Sequence, residues 1–435
     1  MKNIEKQIVN IGLIGLGNIG TKVAEELLQN DKFNQIFNLK TVLVRDLEKY
    51  YNLALKNKKF NVGNRKIAFD LVDVPEKIIE DENIDVVIEL IGGVEPASEY
   101  VKKSLIAGKH VITANKELIS KQIDELLHLS NKYNSKIKFE ASVGAGIPII
   151  ELILELSRQN QIRNIRGIIN GTSNYILSKM SEDGSNFEDV LKEAQNLGFA
   201  ESDPTNDVDG FDAKFKIAIL GALAFKSEIP LESVYVDGIR GITNKDFEYA
   251  KELDLNIKLL AFAEKEGSTI FAKVHPILIP INDPMAKVDR NYNVIEIEGD
   301  LIGKLWIQGE GAGNNSTTSA VLGDLMSLFD SRQSDMLVLN QNLKIRTIDQ
   351  DINKYYLRLV VVDQPGVLAQ IAEIFSENKI SIASVIQKDL YPDNQFVDLV
   401  IMTHSSIEKN IQDVVKSISL LKVVQQDPLL IRVQS

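Results

Sequence analysis

Apolar residues in the first third of the chain come in short runs, each followed by a stretch with helical spacing. Residues 7–14, QIVNIGLI, read as a buried strand, and 21–29 as a helix. The strand pattern returns at 39–44, 84–90 and 110–113. A helix between the last two opens at Pro96, where a proline sacrifices no hydrogen bond, and ends at Gly108. Strands alternating with helices predict a parallel α/β sheet. Residues 137–150, IKFEASVGAGIPII, close this part with a strand ending at Glu140, a small-residue loop, and Pro148 in the first turn of a helix.

The alternation then stops. Residues 164–170 read as a strand, a helix begins at Gly171, and 187–197 is an amphipathic helix closed by Gly198. Asp209 reads as an N-cap, with Asp212 in the capping-box position ahead of an apolar helix. Most segments from 257 to 306 look like strands, so this region is mixed α+β. A helix from about 317 to 329 is expected to return and complete the first region. Residues 341–354 are polar and read as a linker. The rest reads as strand 355–362, helix 367–378, strands 381–388 and 396–403, helix 406–418 and strand 429–433, a ferredoxin-like βαββαβ unit.

Candidate chemistry sits at the joints of this pattern. Gly15-Leu16-Gly17-Asn18-Ile19-Gly20 lies between the first strand and the first helix, the context a dinucleotide-binding turn needs. Gly15 permits the turn, Gly17 admits a pyrophosphate, and Gly20 lets helix and strand pack. The second strand ends in Arg45-Asp46. An acid there holds ribose hydroxyls and an arginine accepts a 2′-phosphate, so the order leans to NADP and leaves NAD open. Thr113-Ala114-Asn115-Lys116 ends another strand and delivers Lys116 to the ligand edge of the sheet. Glu140 and the carbonyls after it could hold a hard cation; a tight turn with a buried glutamate is the plainer alternative. Residues 201–216, ESDPTNDVDGFDAKFK, gather Glu201, Asp203, Asp207, Asp209, Asp212 and Lys216. Asp212 and Lys216 share one helix face, which suits moving a proton as well as a simple surface ion pair.

The 435 residues allow about three domains. A net charge of −12 argues against nucleic acid. With no cysteine, thiolate nucleophiles, thiolate metal sites and disulfides are excluded. The start mixes Lys2, Glu5 and Lys6 and has no signal-peptide pattern, and no apolar run is long enough to span a bilayer, so a cytoplasmic protein is expected.

Seven segments in order, GLGNIG, VVIELIGG, TANK, EASVGAGIP, NGTSNYIL, ESDPTNDVDGFDAKFK and GEGAG, resemble homoserine dehydrogenase of the long form with a C-terminal ACT domain. The resemblance covers nearly the whole chain. It implies NAD(P)-dependent interconversion of aspartate 4-semialdehyde and homoserine, on the route to threonine and methionine. It implies a Rossmann-type domain over 1–136 completed by about 311–340, and an α+β catalytic and dimerisation domain over 137–310. Residues 341–354 would be the linker and 355–435 a ferredoxin-like ACT domain. Lys116, Lys216 and Asp212 resemble the catalytic groups, and Glu201, Asp207, Gly171 and Thr172 the substrate-binding ones. Gly15, Gly17, Asn18, Ile19, Gly20, Arg45, Thr113, Lys116 and Gly311 would meet the cofactor. Glu140, Val143, Ala145 and Ile147 match a sodium site. Asp363, Pro365 and Gly366 would meet an effector, with threonine feedback and a homodimer or homotetramer implied. A purely structural dimerisation role for the ACT domain stays open. Asn206 and Ser316 depart from the family's pattern. The rival readings are a non-catalytic nucleotide-binding amino-acid sensor and another Rossmann amino-acid dehydrogenase.

Overall fold

The structure, a computed structural model, describes residues 8–329, 338–388 and 396–434. Lys2, Glu5, Lys6 and Gln7, invoked above, lie outside the described residues.

The first sheet contains β1 (Val9–Ile14), β2 (Phe37–Leu43), β3 (Asp70–Val72), β4 (Val86–Glu89), β5 (His110–Thr113) and β6 (Ile137–Lys138). All its pairings are parallel, in the order β3-β2-β1-β4-β5-β6. The order reverses between β1 and β4, which opens a ligand crevice beyond their carboxyl ends. The helix Asn314–Ser327 comes back after the second region and places Val321, Leu322 and Leu325 in the same core as Ile11, Leu13 and Ile88.

The second sheet is larger. It contains β7 (Ile162–Ile168), β8 (Tyr235–Val236), β9 (Leu255–Glu266), β10 (Thr269–Pro280), β11 (Tyr292–Gly299) and β12 (Gly303–Glu310). After these come β13 (Lys344–Ile345), β14 (Ile352–Val362), β15 (Ile382–Lys388), β16 (Phe396–Thr403), β17 (Ser406–Ile407) and β18 (Leu429–Val433). The main path runs β12-β11-β7-β9-β10-β18-β14-β16-β15. The last four strands have the ferredoxin-like order, with the helices Val367–Glu377 and Glu408–Ser419 covering one face.

One edge of β10 pairs with β9 along its whole length. The other edge is shared by three short strands: β13 at Thr269 and Ile270, β8 at Lys273 and Val274, and β18 at Ile277 and Leu278. The C-terminal unit therefore continues the central sheet. The polar stretch 341–354 is pinned along β10 as well, with Arg346 on Glu264 and Glu266.

Several local expectations shift. Glu140 lies in a short 3-10 turn, Glu140–Ser142, beyond the end of β6. Pro148 stands before the helix Ile150–Gln159, whose N-cap is Ile149. Asp209 is not an N-cap: the helix Phe211–Phe225 is capped by Gly210 at φ +83°, a left-handed conformation that an aspartate adopts less readily.

Candidate active site

The dinucleotide turn follows directly from its glycines. Gly15 sits at φ +101°, and a Cβ at Gly20 would stand 2.1 Å from the Gly15 carbonyl oxygen. A Cβ at Gly17 would meet nothing within 4 Å. Backbone and helix are therefore packed on one side and open on the other, at the N-terminus of Asn18–Gln29, where anions are favoured. Asn18 is exposed and Ile19 half-buried at this opening. Arg45 is exposed just past β2, whereas the Asp46 carboxylate caps the next helix by accepting from Lys49 N at 2.9 Å. At the end of β5, buried Thr113 donates to Glu89 Oε2 at 2.6 Å, and Glu89 also accepts from Ile91 N. Burial pushes the Glu89 carboxyl up, against these hydrogen bonds. Its position inside VVIELIGG was visible in the sequence, but nothing there marked it as the support beneath Thr113.

Three groups converge at the crevice. Lys116 opens the helix Lys116–Lys132, held by the Asn115 cap. Its Nζ lies 2.5 Å from Asp212 Oδ1, with its side chain 42% exposed. Lys216 Nζ lies 2.7 Å from Asp212 Oδ2, with its side chain only 8% exposed, and also donates to the Ile169 carbonyl at 2.8 Å. One buried carboxylate thus clasps both ammonium groups. Burial works against ionised Asp212, yet the Lys216 and Lys116 charges hold it well below the usual carboxylate range. Burial pushes the Lys216 ammonium down, against Asp212. The Asp212 charge holds Lys116 up. The surface ion pair that the spacing also allowed is excluded, because Asp212 and Lys216 are both buried.

Asn170 ties the rest together. Its Nδ2 donates to Asp207 Oδ1 at 2.7 Å and to Asp212 Oδ2 at 2.9 Å. Its Oδ1 caps the helix Gly171–Asp183 through Ser173 N. The sequence reading passed over Asn170, although an asparagine before a helix start is the signal that finds a cap. Burial pushes the Asp207 carboxyl up, against the Asn170 bond. Gly171 packs against the Asn291 carbonyl, and Thr172 donates to Phe199 O at 2.6 Å, which anchors the chain leading to Glu201. Glu201 is exposed at the rim, and its charge reaches Lys116. Asn206 is exposed as well.

Gly311 lies against Asn293, and a Cβ there would fall 1.8 Å from Asn293 Nδ2. Asn293 is fully buried, and among the described residues its carboxamide has no hydrogen-bond partner. It too was missed from the sequence. The neighbouring Glu310 carbonyl accepts from Gly146 N, so the loop after Glu140 abuts the GEGAG turn. Ser316 donates to the Gly313 carbonyl within that turn. The Glu140 carboxylate accepts from Ile150 N and Glu151 N at 2.8 and 2.9 Å, and burial pushes it up. Val143, Ala145 and Ile147 follow in a loop where Ala145 has φ +35°. No group of three or more acidic or histidine side chains suited to a metal occurs among the described residues. Asp363, Pro365 and Gly366 stand apart, exposed on the C-terminal unit before the helix Val367–Glu377.

Comparison with known proteins gives this geometry a family. The model of the homoserine dehydrogenase NAD-binding domain matches residues 15–140, and that of homoserine dehydrogenase itself matches 148–326. The chain is 38% identical to the homoserine dehydrogenase of Neisseria gonorrhoeae, over 98% of this chain and 99% of that one. The chain belongs to the homoserine dehydrogenase family. An ACT domain matches 355–419. The crystal structure of a homoserine dehydrogenase from Thiobacillus denitrificans superimposes with a TM-score of 0.88 at 36% identity, covering 99% of both chains. A hyperthermophilic archaeal homoserine dehydrogenase in complex with NADPH matches at TM-score 0.63 and 26% identity, covering 76% of this chain and all of that one. The protein is an oxidoreductase with an NAD(P)-binding domain, and the non-catalytic reading falls away. No helix among the described residues is long and apolar enough to cross a membrane.

Proposed function

We propose that the crevice interconverts aspartate 4-semialdehyde and homoserine, with Lys116, Asp212 and Lys216 handling the oxygen and its proton. The observation that carries this reading is the single buried carboxylate between two lysines. NAD(P), when bound, supplies or accepts the hydride. The open Gly17 surface would line its place, with buried Thr113 and Gly311 beneath it, and exposed Arg45 favours NADP because Asp46 is spent as a helix cap. When the carbonyl carbon is reduced, its oxygen gains negative charge. An ammonium stabilises that charge and then protonates it. Lys216 releases a proton more readily, since burial lowers its hold, while Lys116 remains the fixed cation facing the cleft. Glu201 and Asp207 suit the substrate's ammonium group, beside Gly171 and Thr172.

Sodium belongs to the same reading. Glu140 braces the helix start, and the carbonyls of Val143, Ala145 and Ile147 would supply oxygen ligands to the ion, next to the turn that carries Gly311. Threonine is the proposed effector at Asp363–Gly366 (residues 363–366), where backbone amides at a helix N-terminus suit a carboxylate. Strand β12 is an edge strand with Trp306 exposed, and Leu301 and Ile302 are exposed in the turn before it, which fits assembly as a homodimer or homotetramer. A cytoplasmic location accords with the cysteine-free sequence. The deciding experiment is homoserine-dependent reduction of NAD and of NADP, each with and without threonine and with sodium replaced by a larger cation. No reduction of either nucleotide ends this reading.

A further inference from the structure

Residues 235–241, YVDGIRG, lie between the C-terminal unit and the acidic loop and touch both. On the C-terminal side, β8 and β18 follow one another along the same edge of β10. The Arg432 guanidinium of β18 lies over the Tyr235 ring, 4.7 Å from its centroid. Arg432 is itself immobilised, 1% exposed and bound to Glu408 by two hydrogen bonds. A Cβ at Gly241 would stand 3.2 Å from Leu429 Cδ1, also of β18. On the active-site side, Ile239 N donates to the Val208 carbonyl at 2.8 Å. Arg240 holds both oxygens of Asp209, at 2.6 and 3.1 Å. A Cβ at Gly238 would fall 2.6 Å from Val208 O and 2.7 Å from Asp209 Cα, so the two backbones are in contact. Gly210, which caps the helix carrying Asp212 and Lys216, packs on Val236 and Val274.

We propose that residues 235–241 are a positioning strap, through which β18 fixes the placement of Asp207 and of the start of the helix carrying Asp212 and Lys216. The proposal rests on the reading of 201–216 as the substrate loop. With no side chain at Gly238, strap and loop have no slack between them. Strand β10 is paired on both edges and provides the fixed track. A change at Arg432 or Leu429 therefore reaches Val208 and Asp209 without passing through the nucleotide-binding sheet. The strap acts on the substrate side of the crevice alone. It also gives any ligand of the C-terminal unit a short mechanical route to the carboxylates.

The test uses the full chain and three variants. Tyr235→Leu removes the ring beneath Arg432, Gly241→Val presses on Leu429, and Arg240→Ala frees Asp209 at an exposed position where folding is not at stake. Each is expected to raise KM for homoserine by about tenfold, the scale of a sub-ångström misplacement, with KM for the nucleotide unchanged. Tyr235→Phe keeps the ring and should restore the wild-type KM. A merely structural strap would lower the melting temperature and leave the homoserine KM where it was. The proposal is overturned if homoserine KM is unchanged in Arg240→Ala and in whichever of the other two folds, or if nucleotide KM rises in step. A wild-type chain with no homoserine-dependent activity would instead strike the functional reading itself.

Discussion

At the scale of single residues, the site depends on charge held in place by burial. Asp212 is 2% exposed and carries two ammonium partners, so its loss and theirs are different experiments. Replacing Lys116 or Lys216 by Ala should lower kcat by about 10²–10⁴-fold, the usual weight of a general acid–base group. Steady-state rates and circular dichroism check this; near-normal turnover in both folded variants removes the mechanism. Asp212→Asn probes the protons. In the oxidation direction a lysine must be a free amine to take the hydroxyl proton. Burial already lowers Lys216, and Asp212 opposes that drop. Without the carboxylate the lysines lose their protons at lower pH. The alkaline rise of kcat with pH should therefore move down the pH scale, on a lower plateau. A pH–rate profile that stays put or moves up contradicts the assignment.

At the scale of elements, helix starts do most of the positioning. Asn170 caps Gly171–Asp183 and at the same time bridges Asp207 and Asp212. Serine can cap but is too short to bridge. Asn170→Ser should keep thermal stability within about 1 kcal/mol while kcat/KM for homoserine falls, whereas Asn170→Ala should lose the cap as well. Equal activity in the serine variant and wild type would show that the bridge is idle. The periodic elements could be read from the sequence because their cause is local. Strands β5, β16 and β18 lie where the apolar runs placed them. The cap at Asp209 was misread because the decision is made elsewhere. Arg240 claims the Asp209 carboxylate, and the turn needs the left-handed backbone of Gly210. Asn293 and Glu89 carry no local signal, since their roles arise from Gly311 and Thr113, residues distant in sequence. The strands β8 and β13, two residues each, exist only because β10 offers them an edge.

At the scale of the molecule, the C-terminal unit is built into the catalytic sheet. Beyond the β10–β18 pairing, fully buried Asp246 accepts from Tyr356 and from two nitrogens of Arg358. Lys245 pairs with fully buried Asp398. Removing Arg358 would strand Asp246 in the interface, and breaking a buried pair typically costs about 3–5 kcal/mol. Arg358→Ala should therefore lower the melting point of the catalytic region and the C-terminal unit in one transition; two separated transitions in the wild type would mean the units fold independently. This coupling sharpens the test of the effector. A ligand that binds only the folded chain stabilises it by about 2.7 kcal/mol at a hundred times its Kd. If threonine binds at the turn before Val367–Glu377, that gain should appear in the shared transition, catalytic sheet included. For inhibition, threonine must also prefer the slower arrangement, or it shifts nothing. Gly366 has φ +93°, and a Cβ there would meet nothing within 4 Å. Gly366→Asp adds backbone strain and a negative charge where the carboxylate would sit. It should abolish the threonine-dependent rise while leaving kcat without threonine unchanged. Melting curves and rates of the full chain at millimolar threonine decide the matter. No rise and no inhibition in the wild type would leave the C-terminal unit as structural support for the substrate loop, with no effector to read.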